Sequence, residues 1–385
     1  MRTTMIRTSR LASLAFYLLA ALIFVLGAAH SASAQAPWTN TNTTGGWNQF
    51  QTDYAYITKS GTNDTAFYSK YGSTTQEGFW GAAEELEMAE DAYEWDKSQA
   101  NYNLVVYLVG GFRNLHGDTW TSDNYNDDII WASLAFIRCY QITGASICLT
   151  DAENNYNAVW DRGHDTANNG ICQVGTYTAG GACYEDAAVN WNFATVGIQV
   201  YNASGFTPYL TEANVVYAFS KANLYVSSGS SIGEIYDAPG VPGVFSYNYG
   251  SAIRAAAWEG DTSGIINNVA NYVMYDLPDC CTSWQYAGTI DGYNILPNYG
   301  QGGNDGGYNG ILIRGLMFAY NLGYTMPSSL IPWLQENISE GWSLRNSAGA
   351  SWNAWTTQTP ATDTPLYSWD RTDTLVGMFD VPVPD

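Results

Sequence analysis

Basic residues are scarce in this chain. Of 385 residues only 14 are Lys or Arg, against 36 Asp and Glu, which gives a formal charge of −22. A nucleic-acid binder neutralises phosphates with clustered cations, and here there are too few to cluster. Histidine is scarcer still, at 3 residues, one of them His30 near the N-terminus. A His/Cys zinc site is therefore not expected, and neither metal nor cofactor is assigned. Charged residues amount to 13% and hydrophobic ones to 46%, too little charge for a disordered chain and ample material for a packed core. After the N-terminal stretch no apolar run approaches the ~20 residues that cross a bilayer.

That stretch has its own pattern. Arg2, Arg7 and Arg10 precede an apolar run from Leu11 to Ala29, and Ala32-Ser33-Ala34 follows as a small-x-small cleavage site. Residues 1–34 are thus predicted to be a signal peptide and 35–385 a single domain, secreted to the extracellular space or periplasm and free of the membrane after cleavage. All 6 cysteines follow the signal, an even number in an oxidising compartment, which favours disulfides. Cys172 and Cys183 flank a Gly-rich loop as a local staple, and Cys139 with Cys148 is a second pair. Whether the adjacent Cys280 and Cys281 bond to each other stays open.

Helical periodicity recurs along the chain. Phe79, Ala82, Ala83, Leu86, Ala89 and Tyr93 follow the i, i+3, i+4, i+7 spacing, with Glu84, Glu85 and Glu87 at the remaining positions. Similar signals lie at 103–114, 127–143, 150–162, 187–201, 211–226, 249–259, 264–275, 308–322 and 328–342. With a first helix at Asp64–Tyr71 and a last near Asp373, about twelve helices are predicted. Gly240–Tyr247 reads as a short hairpin. The tract Gln301–Gly307 lacks the acid spacing of a calcium loop and reads as rim. So many helices in one domain, without heptads or short repeats, point to an all-α (α/α)6 toroid whose Gly- and aromatic-rich loops form the functional end.

The most pointed feature is Asp123-Asn124-Tyr125-Asn126-Asp127-Asp128-Ile129-Ile130-Trp131, an acidic and aromatic loop that runs into a helix. Asn126 is placed to cap that helix, with Asp127 and Asp128 in its first turn, where the positive end of the helix favours a carboxylate. Two adjacent carboxylates cannot both ionise freely, so one pKa falls and the other rises. That separation is what a nucleophile and a general acid require. Side chains diverging from consecutive residues put carboxyls ~5 Å apart, the spacing of retaining rather than inverting glycosidases. The spacing does not say which aspartate does which job. A diphosphate-binding metal site would need further acids along the helix, and Ile129, Ile130 and Trp131 do not supply them.

In order along the chain come Phe79-Trp80-Gly81-Ala82-Ala83-Glu84, His116-Gly117 through Tyr125-Asn126-Asp127-Asp128-Ile129, and Arg138-Cys139-Tyr140-Gln141-Ile142-Thr143-Gly144. Val189-Asn190-Trp191-Asn192, Tyr247-Asn248-Tyr249-Gly250 and Gly310-Ile311-Leu312-Ile313-Arg314-Gly315 follow. In these stretches the sequence resembles glycoside hydrolase family 76, endo-α-1,6-mannanases of (α/α)6 fold. The resemblance implies that Asp127 is the nucleophile and Asp128 the acid/base, with retention at the anomeric carbon.

The chain carries 15 Trp and 29 Tyr, many beside Gly and Asn, the combination that covers a pyranose face and binds its hydroxyls. Candidates for substrate contact are Trp131, Trp191, Tyr247, Tyr249 and Tyr308, with Asn126, Asn190, Asn248, Asp237 and Asp305 for hydroxyls. Arg314, on an apolar helix, requires a buried carboxylate or carbonyl partner. The expected protein is a monomeric secreted hydrolase that cuts internal α-1,6-mannosidic bonds of a polysaccharide through a glycosyl-enzyme intermediate. The alternatives are a hydrolase of the same fold for another glycan, an α-glucan or bacterial polysaccharide, and a non-catalytic glycan-binding protein.

Overall fold

A computed structural model describes residues 37–178, 181–277, 285–299, 306–361 and 366–384. The predicted signal peptide, Cys280, Cys281, Asp305 and most of the tract Gln301–Gly307 lie outside the described residues. Twelve α-helices are described: α1 Asn40–Tyr54, α2 Phe79–Trp95, α3 Gln99–His116, α4 Asn126–Thr143, α5 Ser146–Gly163, α6 Ala187–Ser204, α7 Thr207–Asn223, α8 Ser246–Glu259, α9 Ile265–Tyr275, α10 Tyr308–Asn321, α11 Leu330–Ser343 and α12 Thr372–Asp380. Three two-stranded antiparallel ribbons decorate the loops: β1 Ala55–Ile57 with β2 Thr65–Phe67, β3 Tyr236–Ala238 with β4 Val241–Pro242, and β5 Gly288–Ile290 with β6 Tyr293–Ile295.

The even-numbered helices form a closed inner ring, each packing on the next and α12 returning to α2. On its outer side α3 packs against α2, α5 against α4, α7 against α6, α9 against α8 and α11 against α12. This is an (α/α)6 barrel. An inner helix meets two ring neighbours and an outer helix, so it is buried nearly all round and its sequence carries little amphipathic signal. Close approach within the ring fixes some residue choices. A Cβ on Gly250 of α8 would lie 2.4 Å from the Ile311 carbonyl oxygen, and one on Gly315 of α10 would lie 2.3 Å from that of Gly250.

Two expectations fail here. The segment Asp64–Tyr71 is no helix: Thr65–Phe67 pairs with Ala55–Ile57. The first helix is instead α1, capped by Thr39 and buried through Trp47, Phe50 and Tyr54. In α2 the acids between the apolar positions are also inside: Glu84, Glu85 and Glu87 are buried. Arg314 meets Glu84 at 3.0 Å, Glu87 at 3.2 Å and Asp91 at 2.9 Å, the carboxylate partners its position requires. Arg254 pairs with Glu87 at 2.9 Å and Arg138 with Asp91 at 2.6 Å. The second failure is the hairpin at Gly240–Tyr247: the strands are Tyr236–Ala238 and Val241–Pro242, Gly240 is the turn with φ +77°, and Ser246 and Tyr247 already open α8. Disulfides join Cys139 to Cys148 and Cys172 to Cys183, as the spacing suggested. Among the described residues no helix is long and apolar enough to cross a membrane.

Candidate active site

The first turns of five inner helices converge on a cleft of about 360 Å³. Its walls are Trp80 from α2, Asp127, Asp128 and Trp131 from α4, Ala188 from α6, Tyr247 from α8 and Tyr308 from α10, with Tyr125 and Gln173 from the loops. The rings support one another: Tyr247 meets Tyr308 edge to face at 4.7 Å and Trp131 at 6.4 Å, and Trp80 lies 6.2 Å from Tyr308.

Asp127 and Asp128 occupy the first turn of α4. The cap is not Asn126. Tyr125 takes that place in extended conformation, and Asn126 becomes the first helical residue, fully buried. Its amide donates to the carbonyls of Cys172 at 2.7 Å and Gly175 at 3.1 Å, and its oxygen accepts from Arg162 Nε at 2.5 Å. Asn126 therefore rivets the helix start to the disulfide-closed loop, and no polar group of it is left for a sugar.

Burial pushes Asp127 up to about 6, against the opposing hydrogen bond from Gln173 and those from the backbone N–H groups of Asp127 and Asp128. Gln173 Nε2 donates to Asp127 Oδ2 at 3.1 Å. Burial, and then the charges of Asp127 and Asp123, push Asp128 up to about 8. Among the described residues neither carboxylate takes part in an ion pair. The site thus contains one carboxyl that ionises just below neutrality and a neighbour that keeps its proton.

Of the predicted contacts, Trp131, Tyr247 and Tyr308 line the cleft with the aspartates. Trp191 and Tyr249 do not; both are fully buried, Trp191 against Tyr217 and Tyr249 stacked on Tyr272. Asn190 is spent on Ile171 and the Asp186 carbonyl. Asn248 is buried and donates to Asp237 at 2.9 Å, which also accepts from Tyr184 at 2.6 Å beyond the cleft lining. Gln173, Trp80, Tyr125 and Ala188 were not among the predicted site residues. Trp80 and Tyr125 lie in quoted stretches; Gln173 has no local signal, since it reaches Asp127 from 46 residues away. Among the described residues one trio of metal-ligand types meets, Asp165, Cys183 and Glu185, and its sulfur is bonded to Cys172.

Two carboxyls of separated proton affinity, set among aromatic walls at the helix-start mouth of an (α/α)6 barrel, define a glycosidase. The chain belongs to glycosyl hydrolase family 76, whose family model matches residues 39–379. Its fold is similar to that of the α-1,6-mannanase GH76A from Salegentibacter sp. HEL1_6, with a TM-score of 0.71 at 19% identity over 88% of this chain and 98% of that one. The same values hold for an inactive variant of that enzyme, two consecutive aspartates replaced by asparagine, in complex with α-1,6-mannotriose. A family 76 mannosidase from Bacteroides thetaiotaomicron VPI-5482 is similar at TM-score 0.65 and 16% identity over 88% and 96% of the two chains. No curated protein matches the chain.

Proposed function

We propose that this protein is a secreted retaining hydrolase that cuts α-1,6-mannosidic bonds inside a mannan-type polysaccharide. The observation that carries this reading is the separation of Asp127 and Asp128 on one helix turn, the first ionised near neutrality and the second still protonated. Asp127 attacks the anomeric carbon as Asp128 gives its proton to the departing glycosidic oxygen, so the C–O bond breaks as the carboxylate–carbon bond forms. The Asp128 carboxylate then takes a proton from water, whose oxygen displaces Asp127 and restores the α configuration. Aromatic walls on several sides suit pyranose faces. The mannotriose held by an inactive family 76 mannanase supports the choice of mannan.

The test is a product profile from debranched α-1,6-mannan beside an α-glucan panel, read by mass spectrometry and NMR. Short manno-oligosaccharides of α configuration are expected first. Intact mannan beside a cleaved glucan would overturn the substrate, and β products would overturn retention.

A further inference from the structure

Nothing in the chemistry of two adjacent aspartates decides which of them attacks. We infer that Gln173 is the positioning residue that makes Asp127 the nucleophile, by holding one oxygen of its carboxylate while Asp128 receives no comparable donor among the described residues; this rests on the retaining reading above.

Gln173 is fixed on three sides before its side chain is considered. It follows Cys172, which is tied to Cys183 by a disulfide. Its N–H donates to the Tyr184 carbonyl at 2.8 Å, and its carbonyl accepts the N–H of Asn126 at 2.6 Å, one residue ahead of Asp127. Its neighbour Val174 pairs with Tyr125 across an isolated bridge. The side chain therefore starts from a rigid origin registered to the α4 start, and its amide meets Asp127 Oδ2 at 3.1 Å. A carboxylate accepts only, so the nitrogen of the amide faces it. Among the described residues the other oxygen, Oδ1, has no hydrogen-bond partner and is the one left to react.

The remaining titratable groups that face Asp127 all oppose its charge. Asp123 and Asp128 come from its own loop and helix, Asp186 caps α6, and the Tyr247 phenol comes from α8. Against these acids, Gln173 and two backbone amides favour the ionised form. The amides belong to any helix start; the glutamine does not.

Two near-isosteric variants test this in the full chain. Gln173→Met keeps length and loses the donor, and Gln173→Glu keeps length and sets another acid against Asp127. The titration of the Asp127 carboxyl, followed by NMR with ¹³C-labelled aspartate and assigned by its absence in Asp127→Asn, is expected to move up by about one pH unit in Gln173→Met and further in Gln173→Glu. The acid limb of kcat/KM moves with it, kcat at pH 6 drops about tenfold in Gln173→Met, and KM stays within about twofold. An Asp127 titration unmoved in Gln173→Met, or a loss of kcat that is even across pH, overturns the inference. A wild-type protein that cuts no glycan sinks the hydrolase reading, while the titration still decides what Gln173 does to Asp127.

Discussion

At the starting end of the inner helices Asp127 and Asp128 have no cation beside them among the described residues, and burial pushes them up to about 6 and about 8. Deeper in the same barrel Glu87 is fully buried, yet Arg254, Arg314 and Arg138 outweigh the effect of burial and hold it at about 2. With only 14 basic residues in the chain, three are committed to one buried cluster, and none of those described is paired with the cleft aspartates. The difference separates two uses of a buried acid. Glu87, held by three arginines, keeps its charge and organises packing. One left among aromatics and amides titrates near neutrality, where it can exchange protons with a substrate.

The sharpest way to break the comparison is to remove the titrating groups. Asp127→Asn is expected to lower kcat by more than about 10⁴-fold and Asp128→Asn by about 10²–10⁴-fold, both with unchanged melting temperature and retained glycan binding, measured by initial rates and calorimetry. A non-catalytic glycan-binding protein would show no turnover to lose.

The deep cluster should fail differently. Arg314→Met removes the cation that Glu84 and Asp91 share and leaves Asp91 with Arg138 alone, and removing one partner of a buried ion pair costs about 3–5 kcal/mol. Urea unfolding is expected to report that loss. If Arg314→Met left stability untouched, the cluster would not be what organises the base of the ring.

Acidity distinguishes the two ends without any substitution. The reaction needs Asp127 ionised and Asp128 protonated, so kcat/KM should trace a bell with limbs near the two values of about 6 and about 8. Stability follows a different curve. Burial first, then the Glu87 charge, push Glu84 up to about 8 from 4.5, so between those values the folded chain holds a proton that the unfolded chain has released. Stability contributed by that proton is lost as pH rises toward 8. Glu87 has the opposite sign, and its contribution is lost only as pH falls from 4.5 toward about 2. Thermal melts from about pH 5 to about pH 9 should therefore decline steadily through the activity maximum. Melting temperatures that rose across that range would mean that Arg314, 3.0 Å from Glu84, holds it ionised against burial and the Glu87 charge.

How much of this was legible in the sequence follows from how local each signal is. Asp127 and Asp128 are neighbours at a helix start, so residue type placed them in the first turn; the helical signals at 79–93, 127–143 and 308–322 marked α2, α4 and α10, and the ring was inferred from the number of helices. Helix α1 was hidden because Gly45, Gly46 and its threonines and asparagines are weak helix formers, and tertiary burial of Trp47, Phe50 and Tyr54 overrides them. Nothing local marked Glu84 and Glu87 as buried, because the arginines that meet them, Arg138, Arg254 and Arg314, lie 51 to 230 residues away. Trp191 and Tyr249 read as sugar platforms because an inner helix, apolar all round, has no exposed face against which to judge them. Gln173 was invisible for the same reason as the arginines: its partner is brought to it by the fold.

The smallest expected effect concerns Tyr125, which is 50% exposed on the cleft rim. Its backbone, not its ring, pairs with Val174 and begins α4, so Tyr125→Ala leaves the Gln173 loop and the aspartates in register. What is lost is one face for a sugar ring, about 0.5–1.5 kcal/mol of aromatic contact. A rim ring binds ground state and transition state alike, so the loss should appear as KM raised by about two- to tenfold with kcat unchanged, measured on manno-oligosaccharides of increasing length. Because an exposed ring contacts only the units that reach it, the penalty should vanish for the shortest substrate. A fall in kcat at every length would instead tie the tyrosine ring to the aspartates, and the separation between a rim that binds and a helix turn that reacts would fail.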